Sequence, residues 1–178
     1  AAGRGVEDST WITGGIIMKT TDSGYNWDTV LFTPDNSSYY FDISFSDANI
    51  AYSVGKKNNN SGIIARINDF GNTWDTTITS SILFSICFTS DSIGYAVGAN
   101  GTILKTIDAG TNWININSGI NDKLGSVFFI NDTFGFACGD TIILKTINGG
   151  INWTNYHING IVSLVPQAKI FFPSDNIG

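Results

Sequence analysis

Four tryptophans, Trp27, Trp74, Trp113 and Trp153, close four similar segments: GIIMKTTDSGYNW, GIIARINDFGNTW, GTILKTIDAGTNW and TIILKTINGGINW. Their spacings are 47, 39 and 40 residues. A second motif precedes three of them. FSDANIAYSVG, FTSDSIGYAVG and FINDTFGFACG run from Phe45, Phe88 and Phe129 to Gly55, Gly98 and Gly139, the same ten-residue step each time. A period near 40 makes each repeat one supersecondary unit that buries its apolar face against the next.

Each unit parses into four short strands. An aromatic run such as SICFTS or SVFFIN is innermost, YSVG, YAVG or FACG is second, GTILKT and its equivalents third, and the segment after the Trp fourth. Turn residues separate them at short intervals. No stretch of a dozen residues holds a 3.6 period, and β-branched residues and Gly are abundant throughout, so helices are excluded. The expected fold is all-β: a propeller of four-stranded antiparallel blades, four repeats of about 40 residues in one domain over residues 1–178. At the N-terminus, DSTWITG places Trp11 in the Tyr95 position and Gly14 in the Gly98 position, so the first unit holds strands two to four. At the C-terminus, Phe172 to Gly178 matches Phe88 to Gly94 and supplies one more innermost strand. Two arrangements follow. Residues 170–173 pair with residues 11–14 and close a four-bladed ring, or the chain is an excerpt of a larger propeller. The absence of an initiator Met points to a processed form or an excerpt.

DSGYNW, DFGNTW and DAGTNW follow the pattern Asp-x-Gly-x-x-Trp. In these segments the chain resembles Asp-box (bacterial neuraminidase repeat) propellers. The fuller unit GYAVGANGTILKTIDAGTNW is similar to the repeats of photosystem II assembly-factor-type propellers and to many secreted bacterial repeat proteins. The resemblance covers nearly the whole chain. It implies the architecture, and leaves function open because one fold hosts many functions. Physically, Asp22, Asp69 and Asp108 are placed to accept backbone N–H groups in a hairpin turn, as in an Asx turn. Gly24, Gly71 and Gly110 supply positive φ, and each Trp covers apolar surface between sheets, which predicts four buried indoles. In the fourth unit Asn148 replaces Asp, ahead of Gly149 and Gly150. Asn keeps the acceptor and drops the charge. A turn tolerates that exchange and a catalytic carboxylate does not.

Enzymatic readings fail one by one. A sialidase, the first enzyme the resemblance suggests, needs three arginines on the substrate carboxylate, and the chain has only Arg4 and Arg66. Glu7 is the only Glu, and Asp35, Asp42, Asp122 and Asp140 have no partner placed across a cleft, so a glycosidase pair is missing. His157 is the only His, and no Ser lies in a Gly-x-Ser-x-Gly elbow. No zinc or calcium pattern occurs, and no cofactor is expected. Cys87 and Cys138 fall at different places in the repeat and read as small buried apolar residues. Nine basic residues, scattered, against a net charge of -6 exclude nucleic acid, and no run of about 20 apolar residues offers a membrane helix.

Two features remain for binding. Lys19, Arg66, Lys105 and Lys145 put one cation at the same place in each unit, an arc at one radius in a propeller; the alternative is that each solvates its strand or meets a neighbouring Asp. The second unit also has an enlarged hairpin, KKNNNSG, with Lys56 and Lys57. A long connection carries Tyr39 and Tyr40, which suit recognition if exposed and core if not. The expectation is a non-catalytic module binding a protein or a glycan outside the cytoplasm: secreted, at the cell surface or periplasmic. The alternatives are part of a glycoside hydrolase propeller and an assembly factor for a membrane protein complex.

Overall fold

The computed structural model describes residues 2–5, 14–33, 37–158 and 169–171. The described chain is all-β and antiparallel, and forms two compact units, Ala1–Ile82 and Leu83–Gly178. Unit 1 contains a three-stranded sheet, β1 (Ala2–Gly5), β2 (Gly14–Lys19) and β3 (Asp28–Thr33). It also contains a four-stranded one, β4 (Ser38–Phe45), β5 (Ala51–Lys57), β6 (Gly62–Asn68) and β7 (Thr73–Thr79). Unit 2 contains β8 (Leu83–Phe88), β9 (Gly94–Gly98), β10 (Ile103–Thr106) and β11 (Ile114–Ile116), then β12 (Ser126–Phe129), β13 (Gly135–Cys138), β14 (Ile142–Thr146) and β15 (Thr154–His157). Every sheet is a meander in sequence order, the form of a propeller blade.

In the sheets β4–β7 and β8–β11 burial is greatest at the second strand and least at the fourth, and the sequence says why. All five residues of β9, GYAVG, are buried, because packing on both faces demands an unbroken apolar or small run. In β7, TWDTTIT is exposed almost throughout; Thr tolerates a wet outer strand and still favours extended backbone. Ile17, Leu31, Tyr40, Ile63 and Ile67 form the core of unit 1. Tyr95, Val97, Ile103, Leu124, Phe129 and Leu144 belong to that of unit 2. Phe88 faces Gly94 across β8 and β9, and Phe129 faces Gly135 across β12 and β13. Each ring lies so close over its glycine that an added Cβ would meet ring carbons at 2.6 and 2.4 Å. The glycine of the second motif is there to let an aromatic ring lie down across the strand.

Two expectations need correction. The strand paired with β2 is Ala2–Gly5, not residues 11–14, of which Trp11 lies outside the described residues. Ala2 faces Ile17 as Val54 faces Ile64, Val97 faces Ile103 and Cys138 faces Ile143, so Gly3 holds the place assigned to Gly14. The connection after β1 is long, as it is in the second unit, and counting back a fixed distance from the Trp missed it. The tryptophans are also not uniformly buried. Trp27 and Trp74 are 46% and 48% exposed, whereas Trp113 and Trp153 are half-buried against Phe88 and Phe129, edge to face at 6.1 and 6.0 Å.

Near the C-terminus, the Ile170 N–H donates to Ser126 Oγ at 3.2 Å, repeating the bond of the Val127 N–H to Ser85 Oγ at 3.3 Å. Ile170 thus stands to β12 as Val127 stands to β8, the register read from the sequence. The pairing expected between residues 170–173 and 11–14 falls largely outside the described residues. No helix among the described residues is long and apolar enough to cross a membrane.

Candidate functional site

The hairpin turns between third and fourth strands repeat one hydrogen-bond circuit. In the first, Asp22 Oδ1 accepts the Asn26 N–H at 2.8 Å and Oδ2 accepts the Asn26 amide at 2.6 Å. Thr20 Oγ1 donates to Asp22 Oδ1 at 2.8 Å and accepts the N–H groups of Asp22 and Gly24 at 3.3 and 2.9 Å. Asp108 with Thr106, Gly110 and Asn112 repeats it within 0.1 Å. Asn148 with Thr146, Gly150 and Asn152 does the same, its amide oxygen replacing the carboxylate. The backbone N–H of Asn26 or Asn112, then the side-chain amide and the Thr hydroxyl, hold the Asp22 and Asp108 carboxyls below the ordinary value. Gly24, Gly110 and Gly150 take φ of +92°, +74° and +80°.

The working constellation is therefore Thr-x-Asp-x-Gly-x-Asn-Trp, and the sequence reading missed its Thr and Asn. The second unit shows what they do. Ile67 replaces Thr and Thr73 replaces Asn, and the Asp69 carboxylate, expected to accept backbone donors, takes none among the described residues. The turn tightens instead into a short 3-10 segment, Asp69–Gly71, with the Asn72 N–H on the Asp69 carbonyl at 3.1 Å.

The four equivalent cations do not act alike. Lys19 donates to the Phe70 carbonyl at 2.9 Å and Lys105 to the Gly149 carbonyl at 2.7 Å. Phe70 and Gly149 hold the same place in the next blade's turn, so in each unit the cation of one sheet grips the backbone of the other. Lys145 lies over the Phe134 ring, 5.2 Å from its centroid. Arg66 lies beside Tyr52, whose burial raises its pKa while the guanidinium charge pulls the other way. Lys56 stands over the Tyr39 ring at 5.1 Å, a cross-strand pair at the foot of the enlarged hairpin. Lys57 closes that hairpin through its backbone, donating to the Ser61 carbonyl at 2.8 Å. Tyr40 is core: its ring lies on Gly15, and burial pushes its phenol to about 12. Of the residues named for binding, only Lys56 and Tyr39 are brought together in this way.

A feature without any sequence signal lies between the two sheets of each unit. In unit 2 the Tyr95 ring stacks on Phe129 at 3.8 Å and 12°, under Lys105, whose ammonium is 5.3 Å from the ring centroid. Its hydroxyl donates to the Gly149 carbonyl at 3.1 Å and lies 3.4 Å from that of Asp132. Burial first, and Asp132 second, push this phenol to about 12. In unit 1 the matching place is a cavity of about 360 Å³ walled by Ile17, Val30, Phe45 and Ile67, with Lys19, Ala48 and Phe70 on its lining.

A family profile described as photosynthesis system II assembly factor YCF48 matches residues 72–167, more than half of the chain. The chain belongs to the YCF48 family. Two solved structures resemble it in fold. YCF48 bound to D1 peptide is 20% identical with a TM-score of 0.58 over 68% of this chain and 41% of that one. YCF48 from Cyanidioschyzon merolae is 22% identical with a TM-score of 0.54 over 68% and 40%. This chain spans about two fifths of the length of these YCF48 chains. No curated protein sequence matches it. Membership of the YCF48 family accounts for the blade repeat. The likeness to the two solved chains is one of fold.

Proposed function

We propose that this chain is a non-catalytic propeller module that binds protein, acting as an assembly factor for a membrane protein complex. Its four Asp-box repeats make one domain over residues 1–178, and it works outside the cytoplasm. The observation that carries this reading is the match to the YCF48 family over residues 72–167, one solved relative of which is bound to a D1 peptide. The structure adds support from the carboxylates. Asp22 and Asp108 sit inside their own turns, and Asn148 serves the same turn uncharged. The chemistry of these sites is that of a scaffold.

The test is calorimetric titration of the protein with a D1 peptide, alongside a glycan array with hydrolysis followed in parallel. Saturable binding of the peptide without glycan turnover is expected. Turnover of any glycan, or no heat with the peptide up to millimolar concentration, would overturn the proposal.

A further inference from the structure

Isoleucine suits a strand interior, yet unit 2 places three on its turns. Ile107, Ile147 and Ile151 are 61%, 72% and 73% exposed. Ile107 and Ile147 hold the same place in consecutive blades, between the Thr and the Asp or Asn of the turn, and Ile151 lies on the far side of the second turn. The two turns lie side by side. Lys105, two residues before Ile107, donates to the carbonyl of Gly149, midway between Ile147 and Ile151. The turns joining first and second strands flank them, tied in by the Ala109 N–H on the Ser92 carbonyl and the Gly149 N–H on that of Thr133. There Asp91 and Asp132, each three residues after its phenylalanine, are exposed. Neither carboxylate takes a hydrogen bond or an ion pair among the described residues. The lysines at hand are engaged elsewhere, Lys105 on Gly149 and Lys145 over the Phe134 ring. Both blades of unit 2 therefore show an isoleucine and an unpaired aspartate in the same register. In unit 1 the places of Ile107 and Ile147 hold Thr21 and Asn68, and that of Asp132 holds Ala48.

We propose that this turn face of unit 2 docks a segment of another protein that carries basic side chains beside apolar ones. Its apolar side chains cover Ile107, Ile147 and Ile151, and its basic ones reach Asp91 and Asp132. The inference rests on the protein-binding function proposed above and names a surface for it. Neighbouring isoleucines held in water gain when a partner covers them. The carboxylates choose which partner, because opposite charge steers a segment in and like charge turns it away. A second copy of this chain does not match, since its net charge is -6 and its nine basic residues are scattered. An anionic lipid surface does not match either, because it attracts basic segments and repels these two carboxylates.

The probes are three synthetic peptides, Lys-Leu-Lys-Leu-Lys-Leu, Lys-Ser-Lys-Ser-Lys-Ser and Glu-Leu-Glu-Leu-Glu-Leu. Each is titrated into the isotopically labelled protein and the amide shifts are followed. The Lys-Leu peptide is expected to shift Asp91, Ile107, Asp132, Ile147 and Ile151. The Lys-Ser peptide should bind about tenfold weaker, for the apolar area it leaves uncovered, and the Glu-Leu peptide should not bind. Ile147→Ser with Ile151→Ser should weaken the Lys-Leu peptide about tenfold. Asp91→Asn with Asp132→Asn should remove most of its salt dependence. All four positions are exposed, and unchanged amide shifts of the core residues show that each variant is folded. Equal affinity for the Lys-Leu and Lys-Ser peptides, equal affinity for the Lys-Leu and Glu-Leu peptides, or shifts confined to other residues would overturn the proposal. So would self-association, or binding to phosphatidylcholine vesicles, that the isoleucine variant abolishes, because a second copy or a lipid surface would then be the occupant. If the isoleucine variant takes both a D1 peptide and the Lys-Leu peptide unchanged, the protein-binding function stands and this face falls. If the Lys-Leu peptide binds here and a D1 peptide binds nowhere, the face stands and that partner falls.

Discussion

Unit 1 and unit 2 are built from the same repeat and differ in how the phenylalanine closing an innermost strand lies. Phe129 is 6% exposed and Phe45, at the same register position, 64%. Phe129 lies flat over Gly135 and is covered by Tyr95; Phe45 faces Ala51, not a glycine. The consequence reaches the tryptophans. Trp153 packs edge-on against Phe129, whereas Trp74 has lost the equivalent ring and is half exposed. Trp113 has Phe88, and Trp27 sits in a sheet with no strand inside β1 among the described residues. The two half-buried tryptophans, Trp113 and Trp153, are those whose own blade brings a phenylalanine down over a glycine.

The strongest way to break the comparison is to empty unit 2. Tyr95→Ala removes a buried ring and should open a cavity between the sheets of unit 2 at a cost of about 3–5 kcal/mol, the range for large aromatic truncations. Chemical denaturation reads it, and a loss below about 1 kcal/mol would mean that Tyr95 is not what closes unit 2.

The turns give the next largest effect. Thr106→Val leaves the Asp108 and Gly110 N–H groups without their acceptor and should cost about 1–3 kcal/mol. Conversely, Ile67→Thr with Thr73→Asn should rebuild the missing circuit around Asp69. An NMR structure showing Asp69 still without donors would refute the role given to Thr and Asn.

Ala51→Gly should let Phe45 lie across β5 and shield Trp74. The change is read as a blue shift of Trp74 fluorescence, in a protein whose other tryptophans are replaced by Phe. Its stability should change little, because the backbone entropy of a strand glycine, about 0.5–1 kcal/mol, opposes the gain in packing. An unshifted spectrum would separate Phe45 from Ala51.

The smallest effect is in acid. Asp22 and Asp108 titrate below the ordinary 3.8, so the stability they contribute is complete above that value and is lost as pH falls through their lowered pKa. Asp108→Asn, copying Asn148, should fold normally at neutral pH and flatten this acid dependence. An unchanged acid limb would show that the Asp108 carboxyl does not supply it.

The blade repeat was legible because Trp spacing and the Phe-to-Gly step are local in sequence. The aspartates, glycines and tryptophans of the turns were legible for the same reason, but Thr20, Thr106 and Thr146 were passed over as ordinary strand residues. Their role needs the turn folded, since one hydroxyl both accepts two N–H groups and donates to the Asp. The cations at Lys19 and Lys105 read as an arc at one radius or as residues that solvate their strands or meet an Asp, because sequence gives position and not reach. Their targets are carbonyls 51 and 44 residues away, and a backbone acceptor leaves no mark on side-chain identity.

That backbone target has an evolutionary consequence. The lysine takes hold of a carbonyl in the following repeat whether the residue is Phe70 or Gly149, so sequence drift in the receiving turn leaves the grip intact. Both grips point from earlier repeat to later. A tandem duplication would thus carry its own fastening in the correct sense, and an array of this kind can lengthen by copying a repeat without having to invent a new junction.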